Sequence, residues 1–205
     1  MKYSQNNEEQ IILDYFKGQK GRFLSIGEND GVTLSNVRAL ALSGWSGYCI
    51  EPSYIAFDKL KLLYTDNPEI VCVQYAITKK DGPIKFYESG THLNKGDTAL
   101  LSSVVKSEIV KWKKTTDFIE TEANGLTWES FLDKYEPGYI DFVSIDAEGL
   151  DLDILMQIDL AEIKCKMICI EWNSDLQIRK KITQYVDGFS FKLKSVNPEN
   201  LIYVI

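Results

Sequence analysis

The chain has 205 residues, of which 44% are hydrophobic and 26% are charged. This length suits one domain of about 100–200 residues, and the composition excludes a mainly disordered or low-complexity protein. Its 30 acidic residues exceed its 23 basic ones and give a net charge of −7. That charge disfavours a nucleic-acid partner, because acidic surfaces repel phosphates.

The amino-terminal residues and the cysteines indicate a reducing compartment. The first ten residues are polar and lack the apolar segment of a secretory signal, and no apolar run approaches the roughly 18 residues of a membrane span. The cysteines follow no metal-binding spacing, so we expect each to be a buried or free thiol: Cys49, Cys72, Cys165 and Cys169. We therefore predict a cytoplasmic protein without membrane attachment.

Helical and strand-like patterns alternate in the amino-terminal part of the chain. Apolar residues at helical spacing predict helices over 5–17, 33–43 and 53–64, the last two with Thr33 and Ser53 at their starts. The strands predicted between and after them cover 22–26, 47–50 and 69–77. This alternation predicts a parallel sheet with helices on its faces.

The carboxy-terminal part begins irregularly and then resumes the same alternation. After a short strand over 84–88, residues 90–125 are rich in Ser, Thr, Gly, Asn and Lys and predict an irregular insertion. The later helices are predicted over 127–135, 151–160 and 174–186, and the later strands over 139–145, 166–171, 189–195 and 200–205. Because no linker or repeat interrupts the chain, we predict a single domain over 1–205.

The loop after the first predicted strand carries the clearest binding signal. It reads GENDG, and Gly27 and Gly31 let the backbone approach a ligand at the carboxyl end of the strand, beside the next helix. Glu51 ends the following strand, 20 residues after Gly31, the separation at which a carboxylate binds ribose hydroxyls in nucleotide-binding sheets. The candidate cofactor contacts here are Gly27, Glu28, Asn29, Asp30, Gly31, Glu51 and Pro52.

The charge of this loop indicates the kind of cofactor. The glycine pattern is not G-x-G-x-x-G, and Glu28 and Asp30 place negative charge where a pyrophosphate would bind. This disfavours a nicotinamide dehydrogenase and fits a positively charged cofactor without phosphates, such as S-adenosylmethionine. The alternative is that GENDG forms a plain turn and that Glu51 is an ordinary residue at the end of a strand.

Four sequence blocks follow one another along the chain: FLSIGENDG, SNVRALALSGWSGYCIEP, DFVSIDAEGLDLDIL and CIEWN. Together they resemble the FkbM-type S-adenosylmethionine-dependent methyltransferases, over a region from about Arg22 to Ile205. The resemblance implies a Rossmann-like, seven-stranded, mostly parallel sheet with helices on both faces and an antiparallel last strand. It also implies methylation of a hydroxyl, often on a sugar or polyketide.

Acidic residues crowd the end of the strand over 139–145. Asp146 and Glu148 follow this strand, which should lie beside the first strand, so we expect both acids to face the GENDG loop. Asp151 and Asp153 are interpreted as acids favoured by the dipole at the start of the next helix.

A sugar hydroxyl is a poor nucleophile, so a carboxylate can assist methyl transfer as a general base. Asp146 is the first candidate and Glu148 the second, while Glu171, at the end of the strand over 166–171, is expected to position the acceptor. His92 is either an alternative base, because its pKa suits neutral pH, or an ordinary loop histidine. Asp146, Glu148 and Glu171 also offer oxygen ligands for magnesium, but no metal is predicted.

Three further features are candidates for contacts with the cofactor or acceptor. Ala76 ends the third strand, where the adenine lies in folds of the resembled kind. Ser102 and Ser103 match a Ser-Ser element of the family, or form a hydrogen-bonded pair within the loop. Trp112 stands among lysines and either contacts the acceptor or belongs to a solvated face.

We therefore predict an S-adenosylmethionine-dependent O-methyltransferase that acts on a hydroxyl of a sugar, glycan or related small molecule. The insertion at 90–125 is expected to shape the acceptor site. The alternatives are a non-catalytic binding module of the same fold and a ribose methyltransferase acting on nucleic acid. Ribose methylation of the cap type needs paired lysines around the aspartate, whereas the strand over 166–171 ends in Glu-Trp-Asn. The acceptor and the oligomeric state stay open.

Overall fold

The computed structural model describes residues 2–94 and 96–205. Its helices are α1 (Glu8–Phe16), α2 (Arg38–Leu42), α3 (Tyr54–Leu63), α4 (Lys106–Trp112), α5 (Trp128–Tyr135), α6 (Asp151–Leu155) and α7 (Leu176–Asp187). Its strands are β1 (Arg22–Ile26), β2 (Ser46–Ile50), β3 (Ile70–Val73), β4 (Ala76–Ile77), β5 (Gly82–Ser89), β6 (Phe118–Leu126), β7 (Phe142–Ile145), β8 (Met167–Glu171), β9 (Lys192–Val196) and β10 (Asn200–Val204). None of the helices in this part of the chain has the length and apolar content needed to cross a bilayer.

The main sheet has seven strands in the order β3-β2-β1-β7-β8-β10-β9. The first five strands in this order, which end with β8, pair in parallel. β10 runs antiparallel to both β8 and β9. This confirms the predicted Rossmann-like sheet with its antiparallel last strand. The strand order reverses between β1 and β7, so their carboxyl ends open a crevice at one edge of the sheet.

Helices cover both faces of this sheet, because neighbouring residues of each strand point to opposite sides. In β1, Phe23 belongs to the core cluster that includes Phe16 of α1, whereas Leu24 belongs to the cluster that includes Phe131 of α5. The strands therefore appear in the sequence as continuous apolar runs. Three of the four cysteines, Cys49, Cys165 and Cys169, are buried as predicted, and Cys72 is half-buried.

The helix predicted over 33–43 is shortened to α2. The backbone amide and the hydroxyl of Thr33 donate to the Asp30 carboxylate (2.7 and 2.8 Å), which holds this part of the chain in a turn. The Ser35 hydroxyl oxygen then accepts hydrogen bonds from two backbone amides at the start of α2 (3.2 and 2.9 Å). Ser35 thus holds the turn before α2, and the helix begins at Arg38 with Val37 at its N-cap, not at the predicted Thr33. The predicted Ser53 does cap α3, at 3.2 Å from its third amide.

The prediction that 90–125 is irregular is wrong in part, because the segment contains α4 and most of β6. β6 pairs antiparallel with β5 and parallel with β4 in a second, three-stranded sheet. The strand is hard to detect in the sequence because Ile119 is 69% exposed and the neighbouring Glu120 and Glu122 lie near solvent. Backbone hydrogen bonds to β5 hold this strand in place, and a largely polar sequence does not predict such pairing.

Three predicted boundaries also move. The strand over 69–77 divides into β3 in the main sheet and β4 in the small sheet, because the chain crosses from one to the other. The helix over 151–160 ends at Leu155, and the strand over 189–195 begins only at Lys192.

Gly27 marks the point where the ends of β1 and β7 meet. Its φ is +81°, and a Cβ atom added there would lie 1.7 Å from the backbone oxygen of Asp146. The two strand ends can therefore approach each other this closely only with glycine at this position.

We expect Gly27→Ala to destabilise the protein by more than about 4 kcal/mol, because the clash involves backbone that cannot rotate away. Gly18 is the matched control: its φ is +76°, but nothing lies within 4 Å of an added Cβ. Gly18→Ala should cost only about 1–2 kcal/mol for the left-handed backbone. Urea unfolding measures both values, and equal destabilisation by the two substitutions would contradict the close approach.

Candidate active site

A cavity of about 230 Å³ lies at the carboxyl edge of the main sheet. Four strand ends contribute an acid or a glycine to it: Gly27 after β1, Glu51 after β2, Asp146 after β7 and Glu171 at the end of β8. Residues 92–93 and 99–104, between β5 and α4, also line it. The GENDG loop with Glu51 and the acids at the ends of β7 and β8 thus meet in one cavity.

Most of the residues singled out in the sequence line this cavity. They are Gly27, Glu28, Asn29, Glu51, Pro52, Ala76, His92, Ser102, Ser103, Trp112, Asp146, Glu148 and Glu171. Asp30 and Gly31 do not: the Asp30 carboxylate turns to the backbone of Val32 and Thr33 (2.9 and 2.7 Å). A Cβ on Gly31 would contact Leu60 of α3 at 2.7 Å. These two residues support the loop without lining the cavity, and their contact with a cofactor stays a prediction.

Glu51 connects the loops after β1 and β2. Its carboxylate accepts hydrogen bonds from the backbone amides of Asn29 (2.9 Å) and Ser53 (2.8 Å). Burial raises the pKa of Glu51 to about 7, even though these two donors lower it. Each carboxylate oxygen has a second lone pair for a ligand in the cavity.

Glu28 has two hydrogen-bond partners within the protein besides its place in the cavity. Both of its carboxylate oxygens accept hydrogen bonds from serine hydroxyls, Ser25 at 2.5 Å and Ser35 at 2.6 Å. Burial raises the pKa of Glu28 from 4.5 to about 7, and the two hydroxyls lower it only partly. Although Glu28 lines the cavity, these bonds tie the loop to β1 and to the turn before α2.

Asn29 presents an acceptor to the cavity. Its φ of +53° is in the left-handed region, and its side-chain amide donates to the backbone oxygen of Thr98 at 3.0 Å. The side-chain oxygen is buried and has no hydrogen-bond partner among the residues that the structure describes. A ligand N–H or O–H group would satisfy it.

Asp146, Glu148 and Glu171 form an acid cluster, in which one oxygen of each lies within 4.8 Å of the others. Burial raises the pKa of Asp146 to about 7, and nearby carboxylates add to the shift. Burial and then the charge of Asp146 raise the pKa of Glu148 and Glu171 well above the ordinary range. Three unneutralised charges are therefore unfavourable here.

The loop after β7 is held in place from two sides. The Asp151 carboxylate accepts from the backbone amides of Ala147 (2.8 Å) and Gly149 (3.1 Å), so this acid does more than begin α6 as predicted. The Ser103 hydroxyl donates to the backbone oxygen of Glu148 at 2.6 Å. Glu148 itself has a φ of +44°, a conformation that these bonds maintain.

An aromatic pair, His92 and Trp112, also lines the cavity. The rings of His92 and Trp112 meet edge to face, with centroids 5.8 Å apart. The His92 amide donates to the Asp97 carboxylate at 2.7 Å. Neither His92 Nδ1 nor Trp112 Nε1 has a hydrogen-bond partner within the described part of the chain. Both polar atoms are thus available to an acceptor molecule.

Sequence reasoning missed several residues of the cavity. Gln5 lines the cavity because the neighbouring Ser4 forms a β-bridge with Leu34. No local sequence pattern predicts that contact. Asn36 also lines the cavity and donates to the Ser144 hydroxyl at 3.2 Å. The sequence indicated Asn36 only as a member of the second of the four sequence blocks.

The fold is that of solved methyltransferases. Methyltransferase FkbM from Methylobacillus flagellatus KT superimposes with a TM-score of 0.58 at 14% identity, over 90% of this chain and 43% of that chain. The N-terminal domain of human METTL16 in complex with SAH gives a TM-score of 0.51 at 12% identity, over 96% of this chain and 66% of that chain. At such identities the likeness shows the fold alone, and this chain spans less than half of the first protein.

The family follows from the sequence itself. The methyltransferase FkbM domain matches residues 25–192, which include the loop after β1 and the whole acid cluster. The chain therefore belongs to the FkbM methyltransferase family, as its sequence blocks predicted. No curated protein matches the chain at a significant level.

We expect Glu28→Gln to change how stability depends on pH. Between pH 4.5 and about 7 the folded wild type keeps a proton that the unfolded chain has released, so stability falls as the pH rises through this range. Glu28→Gln should not lose stability in this way, because the glutamine side chain does not titrate. At about pH 8 it should be more stable than the wild type by about 1–3 kcal/mol, and at about pH 5 the difference should shrink.

Urea unfolding at both pH values measures this difference. Glu129→Gln, on the exposed side of α5, controls for the loss of one negative charge. A stability difference between Glu28→Gln and the wild type that is the same at both pH values would contradict the raised pKa of Glu28.

Proposed function

We propose that the chain is an S-adenosylmethionine-dependent O-methyltransferase acting on a hydroxyl of a sugar, glycan or related small molecule. One observation carries the proposal: the Gly27–Asn29 loop with Glu51 and the acid cluster of Asp146, Glu148 and Glu171 line the same cavity. The first group suits an adenosine-containing cofactor, and the second suits a hydroxyl that must lose a proton.

The residues present fit S-adenosylmethionine. Glu51 offers carboxylate lone pairs to ribose hydroxyls, and the unpartnered Asn29 Oδ1 offers an acceptor to an amino group. The negative potential of the cavity complements a cofactor with a sulfonium and an ammonium group. Phosphates, by contrast, would meet Glu28 and Glu51, which supports this cofactor over a nicotinamide dinucleotide.

The chain's own groups contribute position and a proton acceptor. When bound, S-adenosylmethionine supplies an electrophilic methyl group, so that the acceptor oxygen forms a C–O bond as the C–S bond breaks and one proton is released. A carboxylate of the acid cluster takes that proton. Asp146 is the first candidate by position, since it directly follows β7 and its backbone contacts Gly27. Holding the acceptor oxygen in line with the methyl group supplies much of the rate.

The acceptor side of the cavity favours a small polyol over a polyanion. His92 and Trp112 provide an aromatic wall on which a sugar ring can lie, and their free ring nitrogens can bind its hydroxyls. The acid cluster repels phosphates, so a nucleic-acid acceptor is disfavoured. We infer that the segment between β5 and α4 selects the acceptor.

Calorimetry tests the cofactor part of this proposal. The protein should bind S-adenosylmethionine and S-adenosylhomocysteine but not NAD, and Glu51→Gln should weaken that binding about tenfold by removing a charged acceptor. Because the amide also leaves one backbone donor without an acceptor, the melting temperature of the variant is measured beside it. Absence of binding by the wild type would overturn the proposal.

Methyl incorporation tests the acceptor part. Labelled S-adenosylmethionine is supplied with panels of glycans, nucleotide-sugars and RNA. We expect labelled products among the sugars. Label in RNA alone would contradict the proposed acceptor class while supporting methyl transfer.

A further inference from the structure

The acid cluster differs from the other buried acids in its hydrogen bonds to the described residues. Each of the others accepts at least two hydrogen bonds from the protein: Glu8, Glu28, Glu51, Asp97 and Asp151. Glu148 and Glu171 are only 9% and 7% exposed, yet Oε2 of each has no hydrogen-bond partner among the described residues. Two buried carboxylate oxygens therefore face the cavity unsatisfied, which is costly unless a ligand binds them.

The protein also leaves the charge of the cluster unneutralised. Within the described part of the chain, no lysine or arginine forms an ion pair with Asp146, Glu148 or Glu171. Lys111 is already paired with Glu108 at 3.0 Å. The described residues therefore leave the cluster without a neutralising positive charge.

The spacing of the cluster matches a hard divalent cation. Ligands on opposite sides of a cation with bonds of about 2.3–2.6 Å are about 4.6–5.2 Å apart, and ligands at right angles are closer. The three carboxylate oxygens lie within 4.8 Å of one another, which is within the range of separations that ligands of one such ion have.

We propose that Asp146, Glu148 and Glu171 form a binding site for one divalent cation of the Ca²⁺, Mn²⁺ or Mg²⁺ class, open on the cavity side to the acceptor hydroxyl. The sequence placed these acids at two strand ends but did not predict a metal, because convergence of the three side chains depends on the fold.

The role of the cation in methyl transfer rests on the proposed function, whereas its binding does not. A bound cation would supply positive charge that stabilises an acceptor oxygen as it loses its proton. The chain's part is to hold that charge beside the loop after β1, where Gly27 contacts the backbone of Asp146.

Binding of Mn²⁺ alone, followed by electron paramagnetic resonance of the free ion, tests the site. The wild type should show one saturable site. Glu148→Gln and Glu171→Gln should each weaken Mn²⁺ binding about tenfold or more, because each removes a charged ligand. Asp153→Asn is the matched control: Asp153 is a partly exposed acid of α6, paired with Lys79 at 2.8 Å, and its loss should leave the affinity unchanged.

Thermal melting guards against a variant that fails to fold. Mn²⁺ should raise the melting temperature of the wild type and of Asp153→Asn but not of the two glutamine variants. A wild type without saturable Mn²⁺ binding, or glutamine variants that keep it, would overturn the cation site. Calorimetry with S-adenosylmethionine separates the two proposals: cofactor binding without Mn²⁺ binding overturns only the cation site, and the reverse overturns only the proposed function.

Discussion

The site depends on the contact between the ends of β1 and β7. Gly27 lies against the backbone oxygen of Asp146, at a distance that leaves no space for any side chain, and the Asp146 amide donates to Ile26 at 2.9 Å. This contact brings the loop after β1 and the loop after β7 to one point of the sheet edge. The cofactor side and the acid cluster are neighbours only because the two strands meet there.

The acids of this sheet edge divide into two groups by their partners. Glu28, Glu51 and Asp151 are anchored by hydroxyls and backbone amides, and they fix the shapes of the loops. Glu148 and Glu171 are nearly as buried, but each has an oxygen in the cavity with no hydrogen-bond partner among the described residues. A folded protein tolerates such groups where function requires them, so these acids, more than the net charge, support the proposed site.

The sequence was sufficient for the main sheet and for the location of the site. Strands such as β7, buried at every position, appear as apolar runs that end in charged residues, and those ends define the cavity. Spacing could not show that Asp30 turns away from the cavity, since side-chain direction in a turn follows from local hydrogen bonds. It also missed β6, whose outer face is exposed, and Gln5, whose approach depends on a long-range bridge. The sequence grouped Asp146, Glu148 and Glu171 as oxygen ligands, but the distances between their carboxylates required coordinates, because these residues follow two different strands.

A crystal structure of the protein with S-adenosylhomocysteine tests the central claim most directly. We predict that the ribose hydroxyls bind Glu51 and that the homocysteine end lies between the Gly27–Asn29 loop and Asp146. Electron density for the ligand outside this cavity, or a ribose without contact to Glu51, would contradict the account.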